Sequence, residues 1–138
     1  MIPQVTPEEA SEILRTQKGA VYVDVRSEAE FEAGHPDGAY NIPVFFFDAA
    51  RRPLPNADFA AIVEAKFAKE TTLLLGCQSG MRSQHAAELL AKRGYSDVTN
   101  VAGGFGGSPA ARGWKDSGLP VGRGAPAGRS YAELSRNR

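Results

Sequence analysis

The segment Leu73-Leu74-Leu75-Gly76-Cys77-Gln78-Ser79-Gly80-Met81-Arg82-Ser83 holds the residue types best suited to chemistry, and Cys77 is the single cysteine of the chain. An apolar run that reads as a buried strand delivers the thiol to its carboxyl end. A short turn with one glycine follows, and from Ser83 the pattern is helical. Backbone N–H groups in such a turn are unpaired by the helix ladder. The helix dipole adds partial positive charge and Arg82 a full one. All three favour thiolate over thiol, which makes Cys77 a candidate nucleophile. The same cradle would hold an anionic substrate beside the sulfur, through Gln78, Ser79, Gly80, Met81 and Arg82. A free cysteine is more often a small buried hydrophobe, and the strand alone leaves Cys77 in that class. Polar residues, Gly80 and Arg82 at a helix start are poorly explained by packing and reverse that reading.

A lone cysteine rules out an internal disulfide and any multi-thiolate zinc site. His35 and His85 are too dispersed to suggest a metal, and no metal is expected. A thiolate needs no general base, so His35 reads as a structural hydrogen-bonder in the turn Gly34 to Gly38. Asp24 and Arg26 read as an ion pair that ties a strand end to its loop. Gly103 to Gly107 lacks the Lys-Ser or Lys-Thr of a phosphate loop, so no nucleotide cofactor is expected.

The elements that must position Cys77 are legible as a series. Thr6, Pro7 and Glu9 form a capping signature, with Ala10, Ile13 and Leu14 on one helical face. Ala20 to Val25 is a β-branched run, and Ser27 to Glu30 repeats the cap before Phe31. Asn41 to Val44 is extended, Arg51 to Asn56 carries two prolines and reads as loop, and Asp58 to Lys69 is helical. Thr71 to Gly76 is a strand, Ser83 to Arg93 a helix and Asp97 to Val101 a third clear strand. The alternation implies an α/β fold with a mostly parallel central sheet and helices on both faces. Ligands of such sheets bind where strands end and helices begin. Phe45-Phe46-Phe47 reads as core and pocket wall, with at least two rings buried. Gly103 to Gly107 reads as flexible, and Trp114 is placed to dock back. Residues 1–121 form one domain, and 122–138 is a Gly/Pro/Arg-rich, weakly ordered tail with one helical turn at Ser130 to Leu134.

The chain has 138 residues, 42% of them hydrophobic and 23% charged, enough for one domain with a real core. Sixteen basic residues balance sixteen acidic ones, which argues against a nucleic-acid partner. No apolar run is long enough to span a bilayer, so no membrane role is expected. The start of the chain has neither the basic residues nor the apolar stretch of a signal peptide, so the default expectation is a cytoplasmic protein with a reduced thiol.

The loop Cys77 to Ser83 resembles the active-site loop of rhodanese-like sulfurtransferases. The stretch Val23 to Pro43, with Asp24, Arg26, Phe31, Gly34, His35, Gly38, Ala39, Asn41 and Ile42, is similar to that family's N-terminal signature. Gly94-Tyr95 through Val98, Asn100, Val101, Gly103 and Gly104 is similar to its C-terminal signature. The three blocks stand in the family order and the resemblance covers about Thr6 to Val121. Two departures bear on the rim of the site: Pro36-Asp37 follows His35, and Gly106 to Gly113 intervenes before Trp114.

The resemblance implies the rhodanese-like three-layer fold and a persulfide mechanism. Cys77 would take the outer sulfur of thiosulfate or a similar donor, with Arg82 orienting the anion, and pass it to a thiol or cyanide. With no second cysteine, the acceptor must come from outside: glutathione, thioredoxin, cyanide or a protein partner. The same fold, by the family's known members, also serves cell-cycle protein phosphatases, whose loops place five residues between cysteine and arginine. Four separate Cys77 from Arg82 here. The tighter loop suits a sulfur carried on cysteine better than a phosphate. A sulfur-carrier module working with a protein partner is the alternative, and a phosphatase or arsenate reductase is the more distant one.

Overall fold

Capping boxes start both N-terminal helices. Thr6 Oγ accepts the Glu9 N–H at 3.1 Å while the Thr6 N–H donates to Glu9 Oε1 at 2.8 Å. Ser27 and Glu30 repeat the exchange at 3.2 and 3.1 Å. In the computed structural model, which describes residues 1–137, the chain runs β1 (Gln4–Val5), α1 (Pro7–Thr16), β2 (Val21–Asp24), α2 (Glu28–Ala33), β3 (His35–Pro36), β4 (Tyr40–Asn41), β5 (Phe45–Phe47), β6 (Pro53–Pro55), α3 (Phe59–Lys66), β7 (Leu73–Gly76), α4 (Met81–Lys92), β8 (Val98–Val101), a 3-10 turn (Trp114–Asp116), β9 (Val121–Gly122), α5 (Tyr131–Leu134) and a last 3-10 turn (Ser135–Asn137).

The central sheet has five strands in the order β1-β8-β7-β2-β4, and every neighbouring pair is parallel. Its middle strands are buried on both faces, as parallel sheets require. Val23, Val25, Leu73 and Leu75 face a core shared with α3, α4 and α5, through Ile62, Val63, Ala86, Leu90 and Leu134. Tyr22 and Leu74 face the other side, packed with Ala10 of α1, Phe31 of α2 and Trp114. The expected three-layer α/β fold is thus present.

Four segments differ from the sequence reading. Residues 51–56 are not all loop: Pro53–Pro55 pairs antiparallel with Phe45–Phe47 in a hairpin outside the central sheet. Prolines are tolerated there because each strand of the pair is an edge. The phenylalanines on that hairpin are therefore not mostly buried. Phe46 is 40% and Phe47 44% exposed, because the hairpin lies outside the central sheet and its layers. Gly103 to Gly107 is packed instead of flexible, as the site geometry below makes plain. The tail from residue 122 is docked, not loose. β9 pairs with β3, the Asn41 N–H donates to the Arg129 carbonyl at 2.9 Å, and Leu134 is 4% exposed in the core. The Gly and Pro content marks turns there, but Ser130 caps a helical turn that buries Leu134 and the segment covers the free edge of β4. Arg138 lies outside the described residues.

Candidate active site

Cys77 follows β7 directly, and α4 begins at Met81, two residues earlier than the periodicity suggested. Gly80 is the residue before α4 and stands at φ 114°, the left-handed region that side-chain-bearing residues rarely adopt. That turn brings the Gly80 N–H to 3.1 Å from Cys77 Sγ. Ser83 Oγ lies 3.4 Å from the same sulfur. The thiol is only 2% exposed, yet it faces an amide and a hydroxyl as well as apolar neighbours.

The loop is braced from behind. Ser83 Oγ donates to Asn100 Oδ1 at 2.6 Å, and Asn100 Nδ2 donates to the Gly80 carbonyl at 3.2 Å and to Gln4 Oε1 at 2.8 Å. The glycine-rich segment after β8 presses on the other side. Phe105 N–H donates to the Cys77 carbonyl at 2.8 Å and Gly106 N–H to that of Gln78 at 2.9 Å. A Cβ on Gly104 would lie 2.2 Å from the Cys77 carbonyl oxygen, so only glycine allows this approach. The run of glycines is a close-packing surface for the cysteine loop.

The five other loop residues are distributed around this turn. Gly80 alone among them has an N–H recorded at the sulfur. Gln78 is exposed and its Oε1 accepts from Arg26 Nη1 at 3.2 Å. Ser79 is exposed and Met81 is 81% exposed, both on the outer face of the turn. Arg82 gives both its terminal nitrogens to Glu30, at 2.9 and 3.0 Å. Burial raises the Glu30 carboxyl, but hydrogen bonds from Arg82 and the Ser27 backbone outweigh it and bring the pKa down to about 2. Asp24 and Arg26 form the expected ion pair at 2.7 Å, both buried. Arg26 Nη2 also donates to the Gly34 carbonyl at 2.7 Å, and its guanidinium lies 4.6 Å from the Phe105 ring centroid. His35 Nδ1 donates to the Phe31 carbonyl at 2.6 Å, a structural bond at the end of α2.

Glu30 lines two clefts beside the loop. One, of about 720 Å³, includes Arg26, Gln78 and Phe105. The other, of about 630 Å³, includes Phe47, Arg51 and Arg82. The sequence reading singled out neither Glu30 nor Ser83 as a site residue. Glu30 was absorbed by its capping pattern and Ser83 by the helix. Asn100 carried one signal, a polar residue on an otherwise buried parallel strand. Among the described residues no group of His, Cys, Asp and Glu side chains could hold a metal ion, and no helix is long and apolar enough to cross a membrane.

The chain is similar to proteins already known. The sequence profile described as Rhodanese-like domain matches residues 6–108. The chain is 35% identical over 105 residues to the senescence-associated protein DIN1 of Raphanus sativus, covering 76% of this chain and 54% of that protein. It is 35% identical over 103 residues to thiosulfate sulfurtransferase 16, chloroplastic, of Arabidopsis thaliana, covering 75% of this chain and 80% of that one. The crystal structure of Rv0390 from M. tuberculosis matches with a TM-score of 0.74 at 30% identity, covering 88% of this chain and 98% of that one. The chain belongs to the rhodanese-like domain family. It spans about half the length of DIN1.

Proposed function

We propose that this protein transfers sulfane sulfur through a persulfide on Cys77. The observation that carries the reading is the Gly80 N–H on Cys77 Sγ at 3.1 Å, in a loop closed at both ends by β7 and α4. An amide at that distance stabilises negative charge on the Cys77 sulfur, both in the attacking thiolate and in the thiolate released when an acceptor takes the outer sulfur. In the first half-reaction Cys77 thiolate attacks the outer sulfur of thiosulfate. The S–S bond of the donor breaks, sulfite leaves with the bonding pair, and Cys77 carries –S–S⁻. In the second, an acceptor thiolate or cyanide attacks the outer sulfur, and Cys77 thiolate is regenerated. The name of the Arabidopsis relative, a thiosulfate sulfurtransferase, supports thiosulfate as the donor to try first. The reading goes with a compartment that keeps the thiol reduced, for which we propose the cytoplasm.

Initial rates with thiosulfate and cyanide varied together test this. Parallel double-reciprocal lines, and no turnover by Cys77→Ser, are expected. Intersecting lines, or turnover by the serine variant, would contradict it. A second reading, a sulfur carrier served by a protein acceptor, is favoured by the exposed Phe46 and Phe47, the latter with its ring centroid 5.8 Å from the Arg82 guanidinium. Persulfide formation with slow release to small acceptors would identify it.

A further inference from the structure

The sequence points to Arg82 as the group that draws an anionic donor, but its guanidinium is already engaged. Both terminal nitrogens are held by the Glu30 carboxylate at 2.9 and 3.0 Å. The pair is half-buried, with side chains 21% and 34% exposed, so solvent screens it only in part. Arg82 is close enough to Cys77 for their charges to interact. Glu30 itself lines both clefts beside the loop, one with Arg26 and Gln78 and one with Arg51 and Arg82. Cys77 lines neither cleft, but its neighbour Gln78 lines one and Arg82 the other, so a donor that approaches the loop by either cleft passes this carboxylate. Cations share these walls, Lys115 and Arg123 in the first cleft and Arg51 in the second, and among the described residues Glu30 is the one carboxylate lining either cleft, so its charge offsets part of that positive rim.

Resting on the sulfur-transfer reading above, we propose that Glu30 is a specificity-determining residue: it cancels the charge of Arg82 at the mouth and turns the site from dianionic thiosulfate toward sulfane donors with a single negative charge. The repulsion a donor feels scales with its charge. An aryl thiosulfonate offers the same chemistry with one charge instead of two: Cys77 thiolate takes its outer sulfur and a sulfinate leaves with the bonding pair. Comparison of the two donors isolates the charge effect from the chemistry.

Glu30→Gln is the variant of choice. Its Oε1 can still accept the Ser27 N–H and hydroxyl that now lie at 3.1 and 3.0 Å, so the cap of α2 is kept while the charge is lost. The KM for thiosulfate is expected to fall roughly three- to tenfold in this variant, and the KM for the thiosulfonate by about the square root of that factor. Glu32→Gln, which removes an exposed charge from the same helix, is expected to change neither. Equal effects on both donors, no effect, or the same effect from Glu32→Gln would overturn the proposal. Intact mass of the wild-type protein after treatment with the thiosulfonate, the donor the proposal favours, separates the two failures. If no sulfur is gained, the sulfur-transfer reading itself is wrong; if sulfur is gained but donor preference does not move in Glu30→Gln, only the role of Glu30 is.

Discussion

Charge at the mouth of the site is carried by side chains whose partners come from distant parts of the chain. Glu30 from α2 and Arg82 from α4 meet across the loop. The folded pKa of Glu30, about 2, lies below its ordinary 4.5. The contribution of the pair is therefore present in full above 4.5 and is lost as pH falls through about 2. Thermal melts should show Glu30→Gln less stable than wild type at neutral pH, with the gap closing as pH approaches 2. A gap that does not change with pH would show that the ion pair contributes nothing. Tyr22 offers a second test at this scale. Its hydroxyl is buried without a hydrogen-bond partner among the described residues, and burial, then Asp24, pushes the phenol up. Tyr22→Phe removes that unsatisfied group and should raise stability by about 1 kcal/mol, seen as a Tm higher by roughly 3 °C. A fall in Tm would show that the hydroxyl has a partner.

The cysteine loop is held in shape by the elements around it more than by its own sequence. β8 contributes Asn100, and the glycine segment that follows contributes two backbone bonds to residues 77 and 78. Gly104→Ala would drive a methyl group against the Cys77 carbonyl, at a position whose φ is +53°. The variant should lose about 2 kcal/mol of stability, and its activity should fall even where it remains folded. Unchanged melting and turnover would mean that this contact does not shape the loop. The strand, turn and helix around Cys77 were legible in sequence because they are contiguous, and each has its own local signal. The capping boxes at Thr6 and Ser27 were legible for the same reason. The brace from Asn100 to Ser83 and the pair from Glu30 to Arg82 were not, because they join residues far apart along the chain. The hairpin was hidden by Pro53 and Pro55, which mark a turn to any local reading yet sit on an edge strand here.

At the scale of the whole molecule, the parallel sheet gathers the segments that build the site at the carboxyl ends of its strands. Asp24 ends β2, Cys77 follows β7, and the glycine segment leaves β8. The alternation of strands and helices was enough to anticipate this. The docking of the C-terminal segment was not, because composition describes a chain's flexibility and not the surface it finds to cover. Leu134→Ala measures that docking: a buried leucine in the core should cost about 2–4 kcal/mol, whereas a residue on a loose tail would cost almost nothing. The chemistry of the molecule converges on one sulfur atom. Intact-mass measurement after thiosulfate treatment and desalting should find one added sulfur, removable by reductant and absent in Cys77→Ser. An unchanged wild-type mass, or the same gain in the serine variant, would contradict a persulfide on Cys77.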